Sequence, residues 1–205
     1  MRAPLVIPII ALVACGNGGP TGPVRDPVPD AYDASAPMGP CAAVEQRFGI
    51  EGQDHVPVCT KVQYGTKPPS SGSHYPVWAA FKTYGSAIPE GYWVHDLEHG
   101  GVVISYHCPD GCASDVAAAQ KMIDALPDDP LCTGLAEGVR HRVVLTPDPK
   151  LDVPFAASAW GWTLRARCFD PDAFREFFDR HYGQAPENFC NDGANVTASV
   201  EDCGN

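Results

Sequence analysis

Nine cysteines are spread along this chain of 205 residues, and they constrain its fold more than any other feature. Cys15 follows a short apolar stretch, and setting it apart leaves an even number. In an exported chain, such an even set predicts up to four disulfides that brace a small domain. The remaining eight are Cys41, Cys59, Cys108, Cys112, Cys132, Cys168, Cys190 and Cys203.

The N-terminus has the features of an export signal. Arg2 supplies a positive charge, and the apolar run over 5–13 is shorter than the ~20 residues that a membrane-spanning helix needs. The run ends in LVACG, with Cys15 in the fourth position, which resembles a bacterial lipobox. This resemblance implies cleavage before Cys15 and a lipid on its thiol. We therefore expect 1–14 to be a lipoprotein signal peptide. The alternatives are an ordinary signal peptide and an unusually short hydrophobic N-terminus.

Eight cysteines can form disulfides in many combinations. The simplest expectation is that each cysteine pairs with its neighbour in the sequence. The pairs expected from order are Cys41–Cys59, Cys108–Cys112, Cys132–Cys168 and Cys190–Cys203. The second pair also resembles a metal knuckle, because its three-residue spacer lies in the zinc range. No matching second pair follows it, and an oxidising compartment favours the disulfide.

Composition divides the exported part into a tether, a domain and a tail. Eleven of the 25 residues in 16–40 are Gly or Pro, which predicts a disordered linker over 15–40. Hydrophobic residues make up 44% of the chain, enough for a core. We expect one α+β domain over 41–190 and a polar C-terminal tail over 191–205.

Apolar patterns in the domain predict a small, mainly antiparallel sheet. Residues 101–107, which contain the β-branched run Val102-Val103-Ile104, are the clearest strand, and 140–145 and 155–164 are two more. A strand is also expected to begin at 92–94. Trp160 and Trp162 are expected on one face of their strand, because side chains alternate with a period of two.

Two helices are predicted to pack against this sheet. Ser114 is the expected N-cap of a helix over 115–126, where apolar residues recur at helical spacing. Asp170 is the expected N-cap of a second helix, which buries a stripe of phenylalanines. Residues 41–49 are expected to form a short helical turn. Strands and helices in this order indicate an α+β fold.

The formal net charge of −11 excludes several classes of partner. Nucleic-acid binding needs clustered cations, which this chain lacks. An anionic membrane surface is excluded for the same reason, so membrane contact is expected only through the lipid anchor. The absence of a glycine-rich phosphate loop indicates no nucleotide or organic cofactor.

Three histidines in two short stretches predict a metal site. His74 lies in a Pro-bracketed loop, and His95 and His99 are four residues apart, which places them on one side of either a helix or a strand. Neutral imidazoles bind transition metals, and a pair of them needs further ligands. We therefore predict that His74, His95 and His99 bind Cu(II) or Zn(II). Glu98 or Asp96 is expected to be a fourth ligand, an acceptor for an imidazole N–H, or a general base.

Three alternatives remain open for these histidines. The sequence HDLEH matches the zinc-hydrolase motif H-x-x-E-H, in which Glu98 would activate a water. That hypothesis needs a helix through 95–99 and a downstream ligand, and Gly100-Gly101 before a β-branched run argues against a long helix. The histidines are otherwise purely structural, or the domain is a metal-free module that docks another envelope protein. His55 has no partner that the sequence reveals.

The two histidine-bearing stretches resemble the bacterial family known as domain of unknown function 3105. The shared patterns are P-P-x-S-G-x-H-Y-P, here over 68–76, and V-H-x-L-E-H-G-G-V-V, here over 94–103. The resemblance implies an exported or membrane-anchored protein without an assigned activity. It also implies that four residues are motif positions of the family: His74, His95, Glu98 and His99.

Overall fold

The computed structural model describes residues 23–26, 30–135 and 138–196. Within these ranges it contains three α-helices, a six-stranded sheet and a two-stranded sheet. The helices are α1 (Glu90–Glu98), α2 (Ala113–Asp124) and α3 (Pro171–His181). The strands are β1 (Val24–Arg25), β2 (Ala31–Ala34), β3 (Val44–Phe48), β4 (Val62–Gln63), β5 (Val102–Tyr106), β6 (Val143–Pro147), β7 (Phe155–Ala159) and β8 (Trp162–Ala166). The predicted signal peptide, Cys15 and Cys203 lie outside the described residues.

The large sheet has the strand order β2-β3-β8-β7-β5-β6. Its neighbours are antiparallel except for β5 and β6, which run parallel. The predicted α+β fold with a mainly antiparallel sheet is therefore confirmed. The described residues contain three helices instead of the predicted two, because α1 occupies the place where a strand was expected to begin.

Both faces of the sheet are covered. Val102 and Ile104 of β5 pack in one core with residues of α2 and α3, whereas Val103 packs in a second core with Trp93 and Leu97 of α1. Alternate residues of a strand point to opposite faces, so both sets of side chains are buried. This explains why the first three residues of β5 are all apolar.

A tight hairpin replaces the single strand predicted over 155–164. β7 and β8 pair antiparallel with Ala159 opposite Trp162, which leaves Trp160 and Gly161 as a two-residue turn. Gly161 has a φ of 76°, a backbone conformation that glycine adopts without strain. The prediction that both tryptophans share a face is wrong, because Trp160 packs in the second core and Trp162 against the first.

The edge of the sheet is formed by residues predicted to have no strand. β3 pairs with β8 on one side and with β2 on the other, so the helical turn predicted over 41–49 is wrong. β2 lies inside the predicted linker, and the sheet therefore begins before Cys41. Long-range pairing decides the conformation here, since short segments have weak propensities of their own.

The glycines that argued against a helix at 95–99 instead end one. His99 is the C-cap of α1, Gly100 has a φ of 84°, and its N–H donates to the carbonyl of Leu97 at 3.0 Å. The N–H of Gly101 donates to the carbonyl of Asp96 at 2.8 Å. These two bonds form a Schellman motif, which ends a helix through a left-handed glycine. The prediction that a strand begins at 92–94 is therefore wrong, because these residues belong to α1.

The two predicted helices are present with small shifts. α3 begins as expected, because the carboxylate of Asp170 accepts a hydrogen bond from the N–H of Asp172 at 3.2 Å. α2 begins earlier than predicted, with Cys112 in place of Ser114 as the N-cap and without a side-chain cap. Cys112 is held by a disulfide at that point, and this constraint is not visible in the helical periodicity.

Three disulfides are described, and only one joins the partners expected from order. Their Cα–Cα distances are 5.1 Å for Cys41–Cys168, 5.8 Å for Cys108–Cys112 and 5.2 Å for Cys132–Cys190. Cys59 is also disulfide-bonded. The predicted pairs of Cys41 with Cys59, Cys132 with Cys168 and Cys190 with Cys203 are wrong, because folding brings cysteines distant in sequence together.

These disulfides are typical of an oxidising, extracytoplasmic compartment. Among the described residues, no helix is both long and apolar enough to cross a membrane.

Candidate metal centre

The loop that carries His74 is held by buried side chains. The backbone N–H and the hydroxyl of Ser73 both donate to the carboxylate of Asp26 at 2.8 Å. Ser70 and Ser71 in the same loop are fully buried. The carbonyl of Ser70 accepts a hydrogen bond at 2.8 Å from Gly161 at the tip of the β7–β8 hairpin. His74 is therefore presented by a rigid loop and is itself fully buried.

His55 lies beside His74 through a short parallel bridge. The N–H of His74 donates to the carbonyl of Asp54 at 3.0 Å, and the N–H of Val56 donates to the carbonyl of His74 at 2.8 Å. The ring centroid of His55 lies 5.0 Å from that of His74 and 4.8 Å from that of His95. The exposed His55 thus closes one side of a cluster of imidazoles.

The end of α1 supplies the remaining central side chains. His95, Glu98 and His99 lie on its last turn and C-cap, and all three are buried. Nε2 of His74 lies 3.0 Å from Oε2 of Glu98, and Nε2 of His95 lies 4.0 Å from the same oxygen. The C-terminal end of a helix carries a partial negative charge, which favours a cation.

Backbone carbonyls determine which ring nitrogens face this cluster. Nδ1 of His74 lies 2.8 Å from the carbonyl oxygen of Gly72, and Nδ1 of His95 lies 2.7 Å from that of Tyr75. A carbonyl oxygen only accepts, so each Nδ1 must carry the hydrogen. In the neutral rings, Nε2 then presents its lone pair, which is the arrangement typical of histidine ligands to metals.

Four residues form a first group of candidate ligands. One ring nitrogen each of His55, His74 and His95 and a carboxylate oxygen of Glu98 all lie within 4.8 Å of one another. Ligands at tetrahedral zinc sites, with bonds of about 2.0–2.1 Å, lie ~3.3 Å apart. The separations of 3.0 and 4.0 Å between Glu98 and the two buried imidazoles bracket this value, so these three side chains lie close to the spacing that tetrahedral coordination requires.

Burial keeps the imidazoles of His74, His95 and His99 neutral. Burial, together with the nearby His74 and His99, lowers the pKa of His95 to about 3. Burial, with His74 and Arg142 nearby, lowers the pKa of His99 to about 4. The pKa of His74 is also lowered, chiefly by burial. Neutral imidazole is the form that binds metals.

Glu98 is shifted in the opposite direction. Burial, with the nearby carboxylate of Glu187, raises its pKa to about 7. Two imidazole lone pairs and one carboxylate oxygen therefore meet in a buried space. A proton on Glu98 or a bound cation relieves the repulsion between these electron-rich atoms.

A second group of candidate ligands shares Glu98. A carboxylate oxygen of Glu98, a ring nitrogen of His99 and a carboxylate oxygen of Glu187 all lie within 4.8 Å of one another. Nε2 of His99 lies 3.4 Å from Oε2 of Glu187. The His99 ring also contacts Trp78 and Phe189, with centroid distances of 4.6 and 4.0 Å.

A buried arginine braces the backbone around this second group. Nη1 of Arg142 donates to the carbonyl of His99 and to the side-chain oxygen of Asn188, both at 2.6 Å. The same guanidinium forms a buried ion pair with Asp129 at 2.9 Å. Arg142 thus ties the end of α1 to the segment that carries Glu187.

The structure distributes the predicted site residues between the two groups. His74 and His95 belong to the first group and His99 to the second, although the ring centroids of His95 and His99 are only 4.5 Å apart. Asp96, predicted as an alternative to Glu98, is fully buried and belongs to neither group among the described residues.

The hydrolase hypothesis meets one of its structural conditions. The helix it required through 95–99 is present as α1 with its C-cap. However, His95 and His99 belong to different groups, and Glu98 lies among the ligand atoms of both. This arrangement favours Glu98 as a ligand over Glu98 as a base that activates a water.

The family of this chain follows from most of the folded region and not from the site alone. The model of the family described as "Protein of unknown function (DUF3105)" matches residues 55–193. This chain belongs to the DUF3105 family. The resemblance expected from its two histidine-bearing stretches is therefore confirmed. No curated protein and no solved structure matches the chain.

The matched region of this DUF3105 protein begins at His55 and includes every candidate ligand in both groups. Sequence reasoning missed His55 and Glu187. His55 reaches the cluster by pairing with His74, and Glu187 by a hydrogen bond from its N–H to the carbonyl of Glu98 at 3.1 Å. Neither contact leaves a local spacing pattern that sequence analysis could detect.

Proposed function

We propose that this DUF3105 protein binds a divalent transition metal, Zn(II) or Cu(II), outside the cytoplasm. The observation that carries the proposal is the convergence of His55, His74, His95 and a carboxylate oxygen of Glu98 within 4.8 Å. Three imidazoles and one carboxylate match the donor preferences of these ions.

The chemistry of the individual side chains supports the same function. Backbone carbonyls orient His74 and His95 so that Nε2 is free to bind, and burial favours the neutral rings. A bound zinc or copper ion would favour the ionised carboxylate of Glu98, whose pKa burial otherwise raises to about 7. His55 is the exposed member of the group, so an ion can enter and leave from that side.

The proposal also includes the cellular setting. We propose that the domain faces the periplasm or the cell exterior and is anchored by a lipid on Cys15. The disulfides support an oxidising compartment, and the lipobox-like sequence supports the anchor. Storage, sensing or delivery of the metal is the role that such an anchored site would serve.

The test is elemental analysis of the full-length chain, purified from its natural compartment without added metal or chelator. We expect about one equivalent or more of zinc or copper per chain. His55→Ala, at an exposed position, should weaken binding by at least about 100-fold, since even residues outside the ligand shell alter affinity by 10–100-fold. His107→Ala is the matched control, because His107 belongs to neither group.

If the purified protein holds no metal and takes up neither ion on reconstitution, metal binding is wrong. The alternative of a metal-free module that docks another envelope protein would then replace it, and the histidines would be structural.

A further inference from the structure

We infer that the centre binds two metal ions and that the carboxylate of Glu98 bridges them. This inference rests on the proposed function, because it places a second ion beside the first. His55, His74 and His95 would bind the first ion. His99 and Glu187 would bind the second.

Glu98 is the residue that joins the two groups. A carboxylate has two oxygens and accepts at both, so it can bind one ion with each. Ions in two-metal centres lie about 3.5–4 Å apart. The rings of His95 and His99, which belong to different groups, have centroids 4.5 Å apart, so ions bound by these two rings would be neighbours.

The position of Glu187 is set by its backbone, although 52% of its side chain is exposed. Its N–H donates to the carbonyl of Glu98 at 3.1 Å. The next residue, Asn188, accepts from buried Arg142, and Cys190 is joined to Cys132 by a disulfide. These contacts hold the backbone of Glu187 beside the end of α1, where its carboxylate lies within 4.8 Å of the ligand atoms of Glu98 and His99.

His99 is the buried imidazole of the second group. It is 2% exposed, and its Nε2 lies 3.4 Å from Oε2 of Glu187. Its other ring nitrogen, Nδ1, has no hydrogen-bond partner among the described residues, so no described hydrogen bond to Nδ1 fixes the tautomer of the ring. Nε2 is therefore the nitrogen that would bind an ion together with Glu187, with its lone pair free when the hydrogen is on Nδ1.

Each group also combines buried ligands with one exposed member. His55 is the exposed member of the first group and Glu187 of the second. The two ions would therefore lie side by side, with the buried Glu98 between them. Solvent would reach the first ion past His55 and the second past Glu187. The imidazole-rich first group and the carboxylate-rich second group would differ in their affinity for any one metal.

The test uses the full-length chain, stripped of metal and then loaded with Cu(II). Elemental analysis counts the bound ions, and electron paramagnetic resonance distinguishes isolated from coupled Cu(II). We expect two equivalents in the wild type, with much less signal than two isolated ions give. Glu187→Ala should bind one equivalent and show the signal of an isolated ion. Glu176→Ala is the matched control, because Glu176 is an equally exposed glutamate on α3 and belongs to neither group.

The possible failures are distinct. One equivalent in both the wild type and Glu187→Ala would overturn the second ion and leave the proposed function intact. Two equivalents in both would overturn the assignment of the second ion to Glu187. No bound copper in the wild type, and no zinc in a parallel loading, would overturn the proposed function together with this inference.

Discussion

Nε2 of His74 lies 3.0 Å from Oε2 of Glu98, and both side chains are buried. Because Nδ1 of His74 donates to the carbonyl of Gly72, the nitrogen that faces Glu98 carries a lone pair when the ring is neutral. A proton or a metal ion must lie between two such acceptors. In the metal-free protein, the charge of this buried pair therefore depends on whether Glu98 is protonated.

Glu98→Gln should alter how the stability of the metal-free protein depends on pH. The pKa of Glu98 is raised from 4.5 to about 7, mainly by burial. Its contribution to the free energy of unfolding is therefore fully present below pH 4.5 and is lost as pH rises through about 7. Gln does not titrate, so the stability of the variant relative to the wild type should increase over this range. Urea denaturation in chelator at several pH values measures it. A difference that stays constant with pH would contradict the pKa shift.

Metal should stabilise the folded protein. An ion that binds only the native state at about 100 times its dissociation constant adds about 2.7 kcal/mol to the free energy of unfolding. We expect Zn(II) to raise the melting temperature at pH 7, and chelator to reverse the change. His55→Ala should lose most of this increase, whereas His107→Ala should keep it. An equal increase in both variants would indicate that zinc acts elsewhere.

Acid should destabilise the metal-free protein through its buried imidazoles. The pKa of His95 is lowered from 6.5 to about 3, mainly by burial. The stability linked to its neutral ring is present above pH 6.5 and is lost as pH falls toward about 3. His95→Gln should therefore lose less stability than the wild type between pH 6.5 and 4, as measured by chemical denaturation. Parallel losses in both proteins would show that His95 is not the group that titrates.

Arg142→Met should be strongly destabilising. The side chains of Arg142 and Asp129 are 2% and 7% exposed and form an ion pair at 2.9 Å, so removal of the cation leaves a buried carboxylate. Loss of one member of such a pair costs about 3–5 kcal/mol. Arg175→Met is the control, because its exposed pair with Asp179 within α3 is worth less than about 1 kcal/mol. Urea denaturation compares the two variants, and similar losses would refute the bracing role of Arg142.

Gly100→Ala should cost more stability than Gly111→Ala. Both glycines have a positive φ, 84° and 88°, so both substitutions incur about 1–2 kcal/mol of backbone strain. A Cβ at Gly100 would also lie 2.8 Å from Nη1 of Arg142 and 3.0 Å from the Cα of Gly183, whereas one at Gly111 meets no described atom within 4 Å. Thermal melts measure the difference. Equal losses would mean that the packing at the end of α1 relaxes without cost.

The elements that the sequence predicted well are those encoded by local pattern. α3 has an N-cap at Asp170 and a buried phenylalanine stripe, and β5 begins with three consecutive β-branched residues. Both depend on residues close together in the chain. Short segments fared worse. Residues 44–48 became a strand and 90–98 a helix, because pairing with β8 and the Schellman bonds of Gly100 and Gly101 outweigh their weak propensities.

Some residues of the candidate centre could likewise be predicted from local sequence patterns, and others could not. The sequence by itself determined which motifs carry His74, His95, Glu98 and His99, because these residues lie in two distinctive stretches. Only the tertiary structure brought His55 and Glu187 to them and placed His99 in a different group from the other two histidines. The physical reason is that a ligand cluster depends on distances between side chains on separate elements. Those distances are set by the sheet, the disulfides and Arg142, and not by spacing along the chain.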